Sequence, residues 1–237
     1  MFGLLLFLVM GYGAYAVYSI RHSAALSVPL VKAAHAYNRE DATLPHTLLV
    51  LGDSTAVGVG SPSEGTVAAR LAEYLHASVE NYAVSGAVTS DLDAQMTHTK
   101  RDKYDLILLQ IGANDVIGFR SLDATASQLD LALQKLRLKS DRVMILTAGD
   151  IGTAPIFPRP VGWVMSYRTR ELRERFIKVC ATRGATYVDI YIRPDPFLGN
   201  EERYHAKDGL HLNAEGYQYW FSVVKEYVDA QWPQLTR

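Results

Sequence analysis

Five short apolar runs, each bounded by small or polar residues, constrain the fold of this 237-residue chain more than any other feature. They are Thr47–Leu51, Val79–Val84, Tyr104–Ile111, Arg142–Ala148 and Ala185–Ile190, the second being the weakest. Longer amphipathic stretches follow them: Glu64–His76, Ser121–Leu138, Gly162–Arg183 and Ala214–Gln231. A nearly continuous apolar strand needs cover on both faces, and a helix between two such strands returns the chain so that they run parallel. Crossovers of one hand place helices on both sides. The expected architecture is α/β, a three-layer α/β/α sandwich around a five-stranded parallel sheet, spanning residues 47–237.

Composition narrows the classes. Hydrophobic residues at 49% and charged residues at 21% exclude a disordered chain or a collagen. A net charge of −1 makes general nucleic-acid binding a poor expectation. Cys180 is the single cysteine, so no intrachain disulfide can form, which suits a cytosolic or a periplasmic protein. No Cys/His group has zinc-ligand spacing, and neither a metal nor an organic cofactor is expected.

Residues 1–20 contain no Asp, Glu, Lys, Arg or His. As a helix they would extend about 30 Å, the thickness of a bilayer core. Tyr12, Tyr15 and Tyr18 sit where an interfacial belt would lie, and Arg21 and His22 end the run. This predicts a membrane anchor over 1–20, followed by a linker or short helix over 21–46. A signal peptide is the competing reading: Leu4–Met10 is the apolar core and Ala14-Tyr15-Ala16 the cleavage motif, with export to the periplasm. A buried helix of the globular domain is the third. Arg21, Lys32 and Arg39 favour a cytoplasmic domain, but Glu40 and Asp41 offset them, so the side of the membrane stays open.

In an open parallel sheet, ligands bind at the carboxyl ends of the strands. Gly52-Asp53-Ser54-Thr55 follows the first run, Ser85-Gly86 the second, Gly112-Ala113-Asn114-Asp115 the third, and Asp208-Gly209-Leu210-His211 comes after the fifth. A serine hydroxyl becomes nucleophilic when a base takes its proton and a third group orients the base. Ser54, His211 and Asp208 fit those parts, since an Asp three residues before a His can reach its second ring nitrogen across a turn. The backbone N–H groups of Ser54 and Gly86 and the Asn114 amide could stabilise an oxyanion.

These four blocks, in this order and each after a strand, resemble those of the SGNH hydrolases, the GDSL-type esterase and lipase superfamily, over roughly residues 47–227. The resemblance implies a flavodoxin-like sheet, a Ser54-His211-Asp208 triad and an oxyanion hole of Ser54, Gly86 and Asn114. Thr55 stands where Leu is usual and Leu212 where Pro is frequent; neither position is catalytic in the family. The nearest types are bacterial single-domain esterases, thioesterases and lysophospholipases.

Other readings compete at single positions. Ser54 could be a helix N-cap, Asn114 and Asp115 turn residues, and Asp53 a loop acceptor. His205 is a rival base, with Glu202 rather than Asp three residues earlier; Asp189 or Asp195 could replace Asp208. The basic run Tyr167–Phe176 reads as a solvated helix face with Glu171–Arg175 and Arg170–Glu174 pairs. Gly58-Val59-Gly60 lacks the third glycine of a dinucleotide loop, with Ser63 in its place. Phe157 and Trp163 either line an acyl pocket or simply pack.

The expected function is a serine esterase acting on an acyl ester, thioester or lipid through an acyl-enzyme. An α/β-hydrolase elbow at residues 52–56 is the rival enzyme fold. An envelope-glycan O-acetyl esterase or acetyltransferase and a catalytically silent membrane-anchored binding protein are the functional alternatives.

Overall fold

The computed structural model describes residues 2–193 and 196–236, the side chains of residues 2–6, 8 and 9 excepted. The chain runs α1 (Phe2–Ala33), β1 (His46–Gly52), α2 (Ser54–Val57), α3 (Val67–Tyr74), β2 (Ala77–Asn81), α4 (Leu92–Met96), β3 (Leu106–Gln110), α5 (Ala113–Ile117), α6 (Leu122–Leu136), β4 (Val143–Leu146), α7 (Val161–Arg183), β5 (Thr186–Val188), α8 (Glu201–Tyr204) and α9 (Ala214–Gln231). The five strands form one parallel sheet in the order β2-β1-β3-β4-β5. Strand order reverses between β1 and β3, and that switch point is where such sheets open a crevice.

The alternation along β1 shows why its sequence is apolar throughout. Leu48 and Val50 enter a core with Leu71 of α3 and Trp220, Val224 and Val228 of α9. Leu49 and Leu51 enter a second core with Leu129 and Leu133 of α6 and Leu172 and Phe176 of α7. Each face is sealed by helices, so both side-chain rows lose water and both contribute roughly 25 cal/mol per Å² of apolar surface.

The second strand is displaced from its expected place, starting at Ala77. Its apolar signal is broken by Ser78, Glu80 and Asn81, which are all buried. They are buried because they are bonded: Glu80 accepts the Tyr104 hydroxyl at 2.6 Å and pairs with Arg101 at 3.2 Å. Asn81 donates to the Ala56 carbonyl at 2.9 Å. Tyr82 and Val84 still donate to β1 carbonyls, at 3.0 and 3.1 Å, so the expected run continues beside β1 beyond the strand proper.

Residues 21–46 are more structured than a simple tether. Helix α1 continues through them to Ala33. Arg39 then bridges antiparallel to Val79 on the edge strand, and Asn38 accepts the Asn81 N–H at 2.8 Å. This segment covers an edge that would otherwise be open for pairing. Among the described residues no helix is long and apolar enough to cross a membrane.

The basic run on α7 departs from a purely solvated face. The Glu171–Arg175 pair forms at 3.1 Å, but Arg170 lies over the Tyr167 ring instead of pairing with Glu174. Arg168 donates to the carbonyls of Val116 (3.1 Å) and Arg120 (2.7 Å), tying down the loop after α5, and Arg173 pairs with Asp189. Such tertiary partners are invisible to an i,i+4 argument.

Candidate active site

The end of β1 delivers Ser54. Gly52 there has φ +145°, and a Cβ on it would lie 2.0 Å from the Gln110 carbonyl oxygen, so only glycine lets β1 and β3 close up at this level. Gln95 clamps the same residue, accepting its N–H and donating to its carbonyl, both at 2.8 Å. Asp53 caps α2, with its carboxylate accepting the Thr55 N–H and hydroxyl at 2.8 Å. Ser54 is therefore the first helical residue and Asp53 the cap. Burial drives the Asp53 carboxyl up to about 6 despite those hydrogen bonds.

His211 reaches Ser54 from the loop before α9. Its Nε2 is 2.9 Å from Ser54 Oγ, and its Nδ1 is 2.6 Å from Asp208 Oδ2. A carboxylate only accepts, so Nδ1 carries the proton; in the neutral ring Nε2 is then left to accept the serine hydroxyl. Asp208 Oδ1 accepts the N–H groups of Leu210 and His211 at 3.0 Å, which locks the Asp208–His211 turn. Burial alone would raise the Asp208 carboxyl. The hydrogen bonds from His211, Ser27 and Leu210 outweigh it and bring it down to about 2, so the group is a carboxylate at neutral pH.

Asn114 sits in the first turn of α5, at the end of β3 across the switch point. One of its amide hydrogens goes to the Ala87 carbonyl at 2.9 Å, which fixes the side chain's orientation beside Gly86. Gly86 has φ +85° and open space where a Cβ would point. Ser54, Gly86, Asn114 and His211 all border one cavity of 330 Å³, whose wall includes Ile117, Ile151, Ala154, Phe197 and Trp220. A cavity bordered by these polar groups and by a mostly apolar wall suits a carbonyl group attached to an apolar chain.

The rivals are engaged by other partners or lie apart from Ser54. His205 borders the cavity, but its Nδ1 lies 3.0 Å from the Glu201 carbonyl and its ring packs against Phe197. Asp189 is engaged by Arg173, whose Nε donates at 2.8 Å. Asp195 lies outside the described residues. Phe157 and Trp163 border a neighbouring cleft rather than the cavity at Ser54. The Gly58–Gly60 turn supports α9, since Tyr217 donates its hydroxyl to the Val59 carbonyl at 3.0 Å. Asp115 is more than a turn residue: it is fully buried and accepts the Thr89 N–H and hydroxyl at 3.0 and 2.9 Å. Among the described residues no group of three or more His, Cys, Asp or Glu is arranged to hold a metal ion.

One residue at the site has no counterpart in the sequence reading. Ser27 of α1 donates its hydroxyl to Asp208 Oδ2 at 2.7 Å and borders the cavity with Val31. It lies in a segment read as linker, and a serine in an otherwise unremarkable helix carries no local signal.

The model of the GDSL-like lipase/acylhydrolase family matches residues 50–219. A GDSL-like esterase of Mycobacterium tuberculosis is 26% identical over 182 residues, covering 72% of this chain and 57% of the relative. A multidomain esterase of Ruminococcus flavefaciens is 29% identical over 148 residues, covering 59% of this chain and 18% of the relative. The chain thus spans little more than half of one relative and under a fifth of the other. Among solved structures, phospholipase A1 from Streptomyces albidoflavus NA297 has a TM-score of 0.61 at 21% identity, covering 76% of this chain and 98% of that one. An acetyl xylan esterase has a TM-score of 0.60 at 19% identity, covering 77% and 99%. These likenesses show the SGNH hydrolase fold. With the family model spanning well over half of its length, the chain belongs to the GDSL-like lipase/acylhydrolase family.

Proposed function

We propose that the protein is a serine esterase working through an acyl-enzyme. Ser54 Oγ attacks the carbonyl carbon of an acyl ester while its proton passes to His211 Nε2. Asp208 holds the imidazole in the tautomer that can accept and stabilises the imidazolium that forms. The Ser54 and Gly86 N–H groups and the Asn114 amide stabilise the tetrahedral oxyanion. His211 then protonates the leaving alcohol, and water removes the acyl group by the same sequence. The observation carrying this reading is the continuous chain Ser54–His211–Asp208, at 2.9 and 2.6 Å, opening onto an apolar cavity.

The test is hydrolysis of a p-nitrophenyl ester series by the purified chain and by Ser54→Ala. Loss of at least about a thousandfold in kcat is expected, with labelling of the parent, but not the variant, by a fluorophosphonate. Substantial hydrolysis by Ser54→Ala sinks the reading. Run against lysophospholipids, thioesters and acetylated xylan, the same assay separates acyl-chain from glycan substrates. The cavity's apolar wall favours an acyl chain longer than acetyl.

Residues 1–20 attach this enzyme to a membrane, or direct its export if cleaved after Ala16. Support comes from their lack of Asp, Glu, Lys, Arg and His and from the exposure of Phe7, Met10, Tyr15 and Tyr18. Fractionation of expressing cells, with mass spectrometry of the amino terminus, checks this. A full-length protein found only in the soluble fraction overturns it.

A further inference from the structure

The Asp208 carboxylate is wholly buried and accepts four hydrogen bonds, two on each oxygen. Three of the donors belong to Leu210 and His211, in the same turn as Asp208 itself. They move with it, so they cannot fix that turn relative to Ser54. The fourth donor is Ser27, 181 residues away on α1. Its single proton has two acceptors in reach, the Ser23 carbonyl at 3.4 Å and Asp208 Oδ2 at 2.7 Å. The shorter bond to the charged oxygen takes it.

We propose that Ser27 is a positioning residue of the catalytic machinery, acting through Asp208. Its hydroxyl shares Oδ2 with His211 Nδ1, so it adds, from outside the turn, a restraint on the rotation of a carboxylate whose Oδ1 the Leu210 and His211 N–H groups already hold, and keeps Oδ2 in line with the imidazole. It also fills the one lone-pair position that the Asp208 turn leaves open. On a carboxylate with no exposed surface that position would otherwise be an unsatisfied charged acceptor. Helix α1 is thereby part of the active site, with Val31, one turn beyond Ser27, on the same cavity wall. Cleavage after Ala16 would leave the contact in place, so both fates of the amino terminus retain it. The role rests on the serine-esterase reading above, and its test separates the two.

Full-length Ser27→Ala, Ser27→Thr, Ser23→Ala and Ser54→Ala are compared on a short-chain p-nitrophenyl ester and in their rate of fluorophosphonate labelling. Alanine is a better helix former than serine, so α1 itself is not weakened, and melting temperatures check the fold. Ser27→Ala should lower kcat about tenfold with KM within about twofold, because the bond matters most as the imidazolium forms. The labelling rate should fall in parallel. Ser27→Thr keeps the hydroxyl and should retain at least about a third of kcat; Ser23→Ala should match the parent. The proposal is overturned if Ser27→Ala keeps kcat within about twofold of the parent, if KM alone rises, or if Ser27→Thr is as impaired as Ser27→Ala. An inactive Ser54→Ala beside a fully active Ser27→Ala overturns the role of Ser27 alone. An active Ser54→Ala overturns the esterase mechanism and this role with it.

Discussion

Replacing Asp208 by Asn removes one charge and almost no volume, so it probes hydrogen bonding at the heart of the site. The carboxylate accepts two hydrogen bonds on each oxygen. An amide accepts on one side only. If its NH2 took the Oδ1 position, it would face the N–H groups of Leu210 and His211, both at 3.0 Å. Two buried donor–donor contacts would cost about 1–3 kcal/mol each. If the NH2 took the Oδ2 position, it would face His211 Nδ1 and the Ser27 hydroxyl. Those partners can adapt: the hydroxyl rotates to accept, and the imidazole moves its proton to Nε2. The second arrangement wins, and it points an N–H at Ser54 where an acceptor is needed. The serine then has no base, and kcat should fall by about 10³–10⁴, equivalent to about 4–5 kcal/mol in the barrier.

The same substitution has a stability signature. The folded-state pKa of Asp208, about 2, lies below its ordinary 3.8. Its carboxylate therefore contributes stability that is fully present above about pH 4 and is lost as pH falls towards 2, about 2 kcal/mol in all. Ester hydrolysis at pH 7.5 and urea denaturation between pH 2 and 7 measure both effects. A variant retaining more than about a tenth of the parental kcat, or an unchanged acid limb of the stability curve, refutes the reasoning.

Asn114→Ala removes the proposed oxyanion donor and should lower kcat about 10²–10³-fold with KM little changed, whereas an effect on KM alone would make Asn114 a wall residue. Gly52→Ala would force a side chain to φ +145° and against the Gln110 carbonyl; a loss of at least about 2 kcal/mol is expected in urea denaturation. Asp53→Asn keeps an acceptor for Thr55 but cannot ionise. Asp53 holds its proton more tightly folded than unfolded, so the parent loses up to about 3 kcal/mol as pH rises from 3.8 through 6. The melting temperature of Asp53→Asn relative to the parent should therefore be higher at pH 8 than at pH 4, and a gap independent of pH would refute the assignment.

Features that rest on local pattern are readable from the chain alone. Apolar runs at β1, β3 and β4 dictate strands covered on both faces, whatever surrounds them, and small polar residues after them mark the functional edge. The Asp208–His211 contact was legible for the same reason, since three residues span one turn. Features that depend on partners distant in the chain emerge only on folding. β2 begins among buried polar residues because Tyr104, Arg101 and Ala56 receive them. His205 and Asp189 are turned to other tasks by Glu201, Phe197 and Arg173. Arg168 secures a loop rather than facing water. Ser27 is the extreme case: its place on the Asp208 carboxylate follows only from where the folded chain sets α1 beside the Asp208 turn, because a hydrogen bond spanning 181 residues leaves no periodicity or spacing to read.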